Sequence, residues 1–201
     1  MDLPEEQSEA LVSMVVRGMS RGEATPEQVA LGEAGLLLIK GAIMMPTPAG
    51  TAYVSELLLL PADAPERERV MATFHRFLPL NRRLRDLCTA WQVRPDGSTN
   101  DHSDEGYDAD IRDRLEDIDN EAGALLKRFT EDLPRLASYR PRLTEALEKL
   151  DDGDDAWLAS PTIDSYHTVW MHLHQQLLLT IGMSRKEDEE LEERLVSGGG
   201  A

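Results

Sequence analysis

Two short stretches hold most of the side chains in this sequence that could do chemistry. The first is Asn100-Asp101-His102-Ser103-Asp104, preceded by Trp91 and Arg94 and followed by Tyr107. An imidazole among carboxylates and a phenol suits proton transfer, so Asp101, His102 and Tyr107 are candidate acid–base groups. The same run also reads as an ordinary helix start, with Ser103 or Asp104 capping a helix through Tyr107. The second stretch is Tyr166–His174. At helical spacing Tyr166, Trp170, Leu173 and Leu177 share one face, and His167, Met171, His174 and Leu178 share an adjacent one. His167 joins the acid–base candidates. It lies seven residues from His174, roughly 10 Å along a helix, too far for both to grip one ion. No Glu-x-x-His pattern accompanies them, so no metal site is expected, and packed histidines with hydrogen-bond partners are the simpler reading.

If the two stretches converge, they build an aromatic-walled pocket for a small molecule. Its walls would be Trp91, Tyr107, Tyr166 and Trp170, with Arg94, Asn100, Asp101, His102, His167 and His174 as polar anchors. Packing in the core is the competing role for the tryptophans, since each buried indole N–H then needs a partner. A third group is cationic. Residues 65–95 carry seven arginines against three acids, and Arg82, Arg83 and Arg85 cluster after Pro79. Guanidinium forks bind phosphate or carboxylate bidentately, so these three form a candidate anion site. The alternative is an arginine face that pairs with the acidic remainder of the chain.

Other chemistries find no seat. There is no Gly-rich phosphate loop, Cys-x-x-Cys pair or nucleophile elbow, and no cofactor is implied. Cys88 is the single cysteine, stands among apolar residues at helical spacing, and reads as a small buried hydrophobe. Its solitude rules out an internal disulfide and points to a reducing compartment.

The bulk numbers narrow the classes further. The 201 residues carry a formal net charge of −17, and hydrophobic types make up 41% with only 5% aromatic. A core of Leu, Ala, Val, Ile and Met follows, the palette of helix packing. Such a charge repels phosphate backbones at long range. The first residues are acidic rather than basic and no long apolar run follows, so neither a signal peptide nor a membrane span is expected. A cytoplasmic protein with no membrane partner is the expectation.

The elements that must position these groups are mainly helical. Glu5–Met19 reads as a first helix. Thr25-Pro26-Glu27-Gln28 is a capping-box start for a second, running towards Leu38. Ile39–Met45 is a strand or hairpin around Gly41, and Thr47-Pro48-Ala49-Gly50 starts a third helix to about Leu60. Pro61 and Pro65 punctuate a linker. A long helix then carries Val70, Phe74, Phe77, Leu84, Leu87 and Trp91, with a kink or break expected at Pro79. Residues 94–105 form a polar loop. Tyr107–Leu133 has the cleanest amphipathic stripe, a shorter helix follows Pro141, Ser160-Pro161 opens a last long helix, and 185–195 is a charged helical stretch. The expected organisation is a truncated winged-helix-like segment over 1–62, a helical bundle over 63–196 and a disordered tail over 197–201.

The turn Thr47-Pro48-Ala49-Gly50 after a strand-like run resembles the end of the wing in MarR-like and PadR-like regulators. The segments FLPLN, CTAWQVRPDGSTNDHSDEGYD, LPRLASYRPRL and DSYHTVWMHLHQQLLLTIG resemble an actinobacterial family described only as uncharacterised or MarR-like. That resemblance implies a fold arrangement and a regulator-like ancestry more than an activity; a homodimer is expected because a short helical N-terminal segment often completes its core by pairing. It does not imply DNA reading. A winged helix needs a recognition helix after its second helix, and here some twenty residues between Thr25 and Thr47 hold one helix and a strand-like run. Residues 1–60 also carry three basic against eight acidic side chains, the wrong sign for a DNA reader. The expected function is therefore a small-molecule- or partner-binding protein. An enzyme using the same acid–base groups, or an accessory subunit docking through the arginines, are the alternatives.

Overall fold

A computed structural model describes residues 2–198. The chain is mainly α, with a small antiparallel sheet and a helical bundle. It forms two compact units: the chain up to Ala62 together with His174–Ser184, and Asp63–Leu173 together with the chain from Arg185. The division after Ala62 falls in the Pro61–Pro65 linker. The return of residues 174–184 to the first unit is a feature that reading the chain as contiguous domains leaves out.

In the first unit, α1 (Glu5–Arg17) buries Leu11, Met14 and Val15 on one stripe and ends at Gly18, whose φ of 77° only glycine adopts freely. β1 is Ser20–Arg21. α2 (Pro26–Glu33) starts from Thr25 with both capping-box bonds formed: Gln28 N–H donates to Thr25 Oγ1, and Thr25 N–H donates to Gln28 Oε1. This helix stops well short of Leu38. Gly35, at φ 74°, turns the chain into β2 (Leu37–Lys40), which pairs with β3 (Ile43–Pro46) in the order β1-β3-β2. The apolar run 36–45 is thus a hairpin: Leu37 and Met44 point inward while their neighbours Leu38 and Met45 are exposed.

α3 (Pro48–Leu58) is capped by Thr47, whose Oγ1 accepts from Gly50 N–H and donates to the Gly35 carbonyl at 2.7 Å. One hydroxyl therefore joins the helix start to the turn before β2. Gly50 permits this closeness, because an added Cβ would stand 2.2 Å from the Leu36 carbonyl oxygen. Leu11, Leu31, Leu37, Met44, Val54 and Leu58 make the core beneath.

The second unit is organised by α4 (Arg67–Gln92) and α5 (Glu105–Asp132). Cross-links Arg69–Asp132, Arg83–Glu121 and Tyr107 hydroxyl to Ala90 carbonyl show that they run antiparallel. Of the kink or break expected at Pro79, the break does not occur: α4 stays helical through it. Proline removes one i to i−4 bond, that to the carbonyl of His75, and both residues lie on the exposed side where water can serve that carbonyl. After a short 3₁₀ turn at Pro134–Leu136 come α6 (Tyr139–Asp151) and α7 (Ala156–Ala159), a single turn that the acidic stretch before it gives no reason to expect. α8 is Tyr166–Ile181, and its start differs from the sequence reading. Ser165 accepts from Thr168 N–H and is the cap, while residues 161–164 form turns after Ser160. α9 (Arg185–Gly198) takes in the first two residues of the expected tail, and 199–201 lie outside the described residues.

The core of this unit is an aromatic stack. Phe77 lies face to face with Trp170 at 4.8 Å and with Phe74 at 5.9 Å, and Trp170 continues to Tyr166 at 6.4 Å. The polar tips are satisfied: Trp170 Nε1–H donates to Asn81 Oδ1, and the Tyr166 hydroxyl donates to Asp119, which also takes a two-pronged grip from Arg140. Among the described residues no helix is long and apolar enough to cross a membrane.

Gly50→Ala should lower the unfolding free energy by about 2 kcal/mol or more, since the new methyl must displace the Leu36 backbone. A depressed melting temperature with the same circular-dichroism spectrum is the expected result.

Candidate functional site

The loop between α4 and α5 is built around Asn100. Its own N–H donates to the Gln92 carbonyl at 2.9 Å, beside the antiparallel bridge of Val93 with Thr99, and this folds the loop back along the end of α4. Its buried side-chain amide donates to the Trp91 carbonyl at 3.1 Å and to Asp108 Oδ1 at 2.8 Å. Its carbonyl oxygen accepts from Arg94 Nε at 3.1 Å and from His102 N–H at 3.3 Å. Every strong valence of one asparagine is thereby used to clamp the loop.

The clamp holds His102 in an unusual place. Among the described residues His102 is the non-glycine residue with positive φ, 58°, a left-handed conformation that costs on the order of 1 kcal/mol. Its ring packs 4.4 Å from that of Trp91, and Nδ1 lies 2.9 Å from Asp108 Oδ2. Nδ1 also lies 3.2 Å from the Asn100 amide nitrogen. Since both amide hydrogens of Asn100 are already given to carbonyl and carboxylate oxygens, the chemistry of the partners assigns Nδ1–H as donor to Asp108. The Nε2 lone pair is left as the reactive position of the ring.

The other polar groups of the loop are structural. Asp101 accepts from the Ser103 N–H and hydroxyl, and these bonds hold its carboxyl below the usual carboxylate range. Asp104 caps α5 through Tyr107 N–H, with the same effect on its carboxyl. Arg94 pairs with Asp104 at 3.3 Å and stacks over the Tyr107 ring at 5.0 Å, and the Tyr107 hydroxyl is committed to the Ala90 carbonyl at 2.8 Å. Stabilised anions are poor bases, which weighs against Asp101 and Asp104, and the Tyr107 hydroxyl proton is already given to a carbonyl, so His102 is the group left with a ring nitrogen to offer.

An open cleft of about 410 Å³ lies against this loop. Trp91, Thr99, Asn100 and His102 form one side, and Asp155, Ala159 and Pro161 belong to the opposite side around α7. Asp155 is held by Arg112, whose guanidinium stands 5.9 Å from the Trp91 ring. Asp108, Arg112 and Asp155 were not among the sequence candidates. Asp108 directly follows Tyr107 and is the one that its position could have flagged.

The imagined four-walled aromatic pocket does not form. Tyr166 and Trp170 are each 1% exposed and serve the core stack, with their polar tips on Asp119 and Asn81. The Tyr166 phenol is pushed well above its ordinary value by burial and by Asp119, which removes it from proton transfer. His167 is half-buried on α8, and burial lowers its pKa. His174 is buried and belongs to the first unit. Two of the three clustered arginines are paired: Arg83 meets Glu121 at 2.6 Å, and Arg85 meets Glu192, which is also bonded by Asn81. Arg82 is exposed. Cys88 is buried and its thiol is pushed up to about 12, so it is no nucleophile. Among the described residues no group of three or more His, Cys, Asp or Glu is placed to hold a metal ion. Compared with known proteins, the chain matches no family model, no curated protein and no solved structure.

Asn100→Ala should cost about 1–3 kcal/mol, because Asp108 and the Trp91 carbonyl lose a buried donor. Faster amide exchange confined to the 93–104 loop would accompany it. The lowered pKa of His167 makes the unfolded chain the better proton binder, so this residue removes stability as pH falls through 6.5, its ordinary value, toward the folded pKa. His167→Gln should flatten that part of the stability profile in denaturant titrations at stepped pH.

Proposed function

We propose that this chain is a ligand-responsive binding protein of the cytoplasm, and that its ligand sits in the cleft between His102 and α7. One observation carries the reading. An imidazole is held in a costly left-handed conformation, oriented by Asp108, backed by Trp91 and presented to an open cleft. Backbone strain kept in place by a fully committed asparagine is characteristic of places where a side chain must be aimed. Its ligand would be small and flat enough to lie along Trp91, with a hydrogen-bond donor for Nε2 of His102. Thr99 and Ser160 supply further polar groups along the cleft.

The N-terminal unit fits an ancestry among winged-helix regulators. Its order of helix, strand, helix and hairpin, with the sheet order β1-β3-β2, supports that reading. The chain passes from α2 to β2 with no further helix, and the segment is acidic, so we assign it to homodimer formation rather than DNA reading. Leu38 and Met45, paired across the hairpin and exposed at 50% and 38%, suit such a contact.

The His102–Asp108 pair also favours a second reading, proton-transfer catalysis with His102 as the base. A thermal-shift screen of small heteroaromatic compounds separates the possibilities. Hits should raise the melting temperature of the wild-type protein by a few degrees. They should fail with His102→Ala and with Ala159→Trp, which fills the cleft. Stabilisation that survives in both variants would sink the assignment of the site. Consumption of a hit by the wild-type protein alone would move the reading to catalysis.

A further inference from the structure

Arg76 of α4 and two cations of α5, all outside the ion pairs, point to a second site. α4 and α5 leave a groove of about 600 Å³ between Arg69, Ala72, Thr73 and Arg76 on one side and residues 124–132 on the other. Positions 69, 72, 73 and 76 form one helical stripe, as do 124, 127, 128 and 131. Ala72 and Ala124 are the small residues that keep the groove open. The cross-links Arg69–Asp132 and Arg83–Glu121 fix the antiparallel register, and that register sets Arg76 opposite the Lys127–Arg128 pair.

Charge makes this groove unusual. The chain as a whole has 38 acidic and 21 basic residues. Arg69 is held by Asp132 through Nε and Nη2. Among the described residues, the cationic heads of Arg76, Lys127 and Arg128 have no carboxylate partner. Glu131 is the remaining acid on the groove, so four cations face two acids and the groove is locally positive in a strongly negative molecule.

We propose that this groove binds a small polyanion of the pyrophosphate or bisphosphate class. Two guanidinium groups and one ammonium line the groove from facing helices, and arginine engages phosphate oxygens bidentately. The size of the groove suits a small molecule. A nucleic acid is disfavoured, since the remaining charge repels an extended phosphate backbone beyond the groove. This site shares no residue with the His102 cleft and stands or falls apart from it.

Isothermal titration of the full chain with inorganic pyrophosphate, at low and at roughly physiological ionic strength, tests the proposal. Wild-type protein should bind, more weakly at the higher salt, and should bind orthophosphate less tightly than pyrophosphate. The double variant Arg76→Ala/Arg128→Ala should weaken binding by about tenfold or more, while Arg82→Ala, outside the groove, should leave it unchanged. All three positions are exposed, and an unchanged melting temperature without ligand confirms that the variants fold. No heat with pyrophosphate at low salt overturns the proposal. So does equal affinity in the double variant, or an equal loss in Arg82→Ala. Tighter binding of oligoglutamate or of a single-stranded oligonucleotide than of pyrophosphate would overturn it in favour of a macromolecular partner.

Discussion

The indole of Trp170 dictates much of the C-terminal unit. A chain this poor in aromatics concentrates them, and Trp170 lies between Phe77 and Tyr166 with almost no exposed surface. Burying that ring gains apolar contact only if its N–H is satisfied, which obliges a polar group to enter the core. Asn81 fills that role on the face of α4 that is otherwise Phe74, Phe77, Leu78 and Leu84. Its amide then needs an acceptor, which Glu192 of α9 supplies, and Glu192 needs a cation, which Arg85 supplies. The chain of obligations runs from one indole to the surface, and it locks α4, α8 and α9 in register. Asp119 plays the same part for Tyr166, with Arg140 as its cation.

Most of the helical framework is legible in the residue pattern. The capping box at Thr25, the cap at Thr47 and the stripe of α5 announce themselves because each depends on local bonding or on a single periodicity. What escapes local reading depends on distant partners. Gly35 stops α2 because β3 awaits the chain beyond it, and nothing in Ala34-Gly35-Leu36 alone says so. Pro79 breaks nothing because it lies on the solvent side of a helix whose other face is fully packed. Ser165 displaces Ser160-Pro161 as the start of α8 because Ser160 is used as an acceptor for Ser165 and Thr168.

The site divides along the same line. Trp91, Arg94, Asn100, Asp101, His102 and Tyr107 come together because they lie within one loop and its flanking turns. Tyr166 and Trp170 do not join them, since an amphipathic stripe looks the same whether it faces a cavity or a packed core. Tyr107 and Asp104 shed their chemical roles once their oxygen atoms are seen to be engaged. The particular partners of Arg83 and Arg85 are likewise invisible until the packing of α5 and α9 against α4 is known. The register of α4 and α5 exposes the unpaired set at Arg76, Lys127 and Arg128, which are too far apart in sequence to read as a cluster.

Cys88, on the same helix as Asn81, has a use that its inertness creates. The thiol is buried in the core and its pKa is pushed up to about 12, so labelling at neutral pH is slow until α4 separates from its neighbours. The chain therefore contains a single built-in clock for the opening of that core. Its labelling rate counts how often the bundle comes apart, with no competing thiol to blur the count.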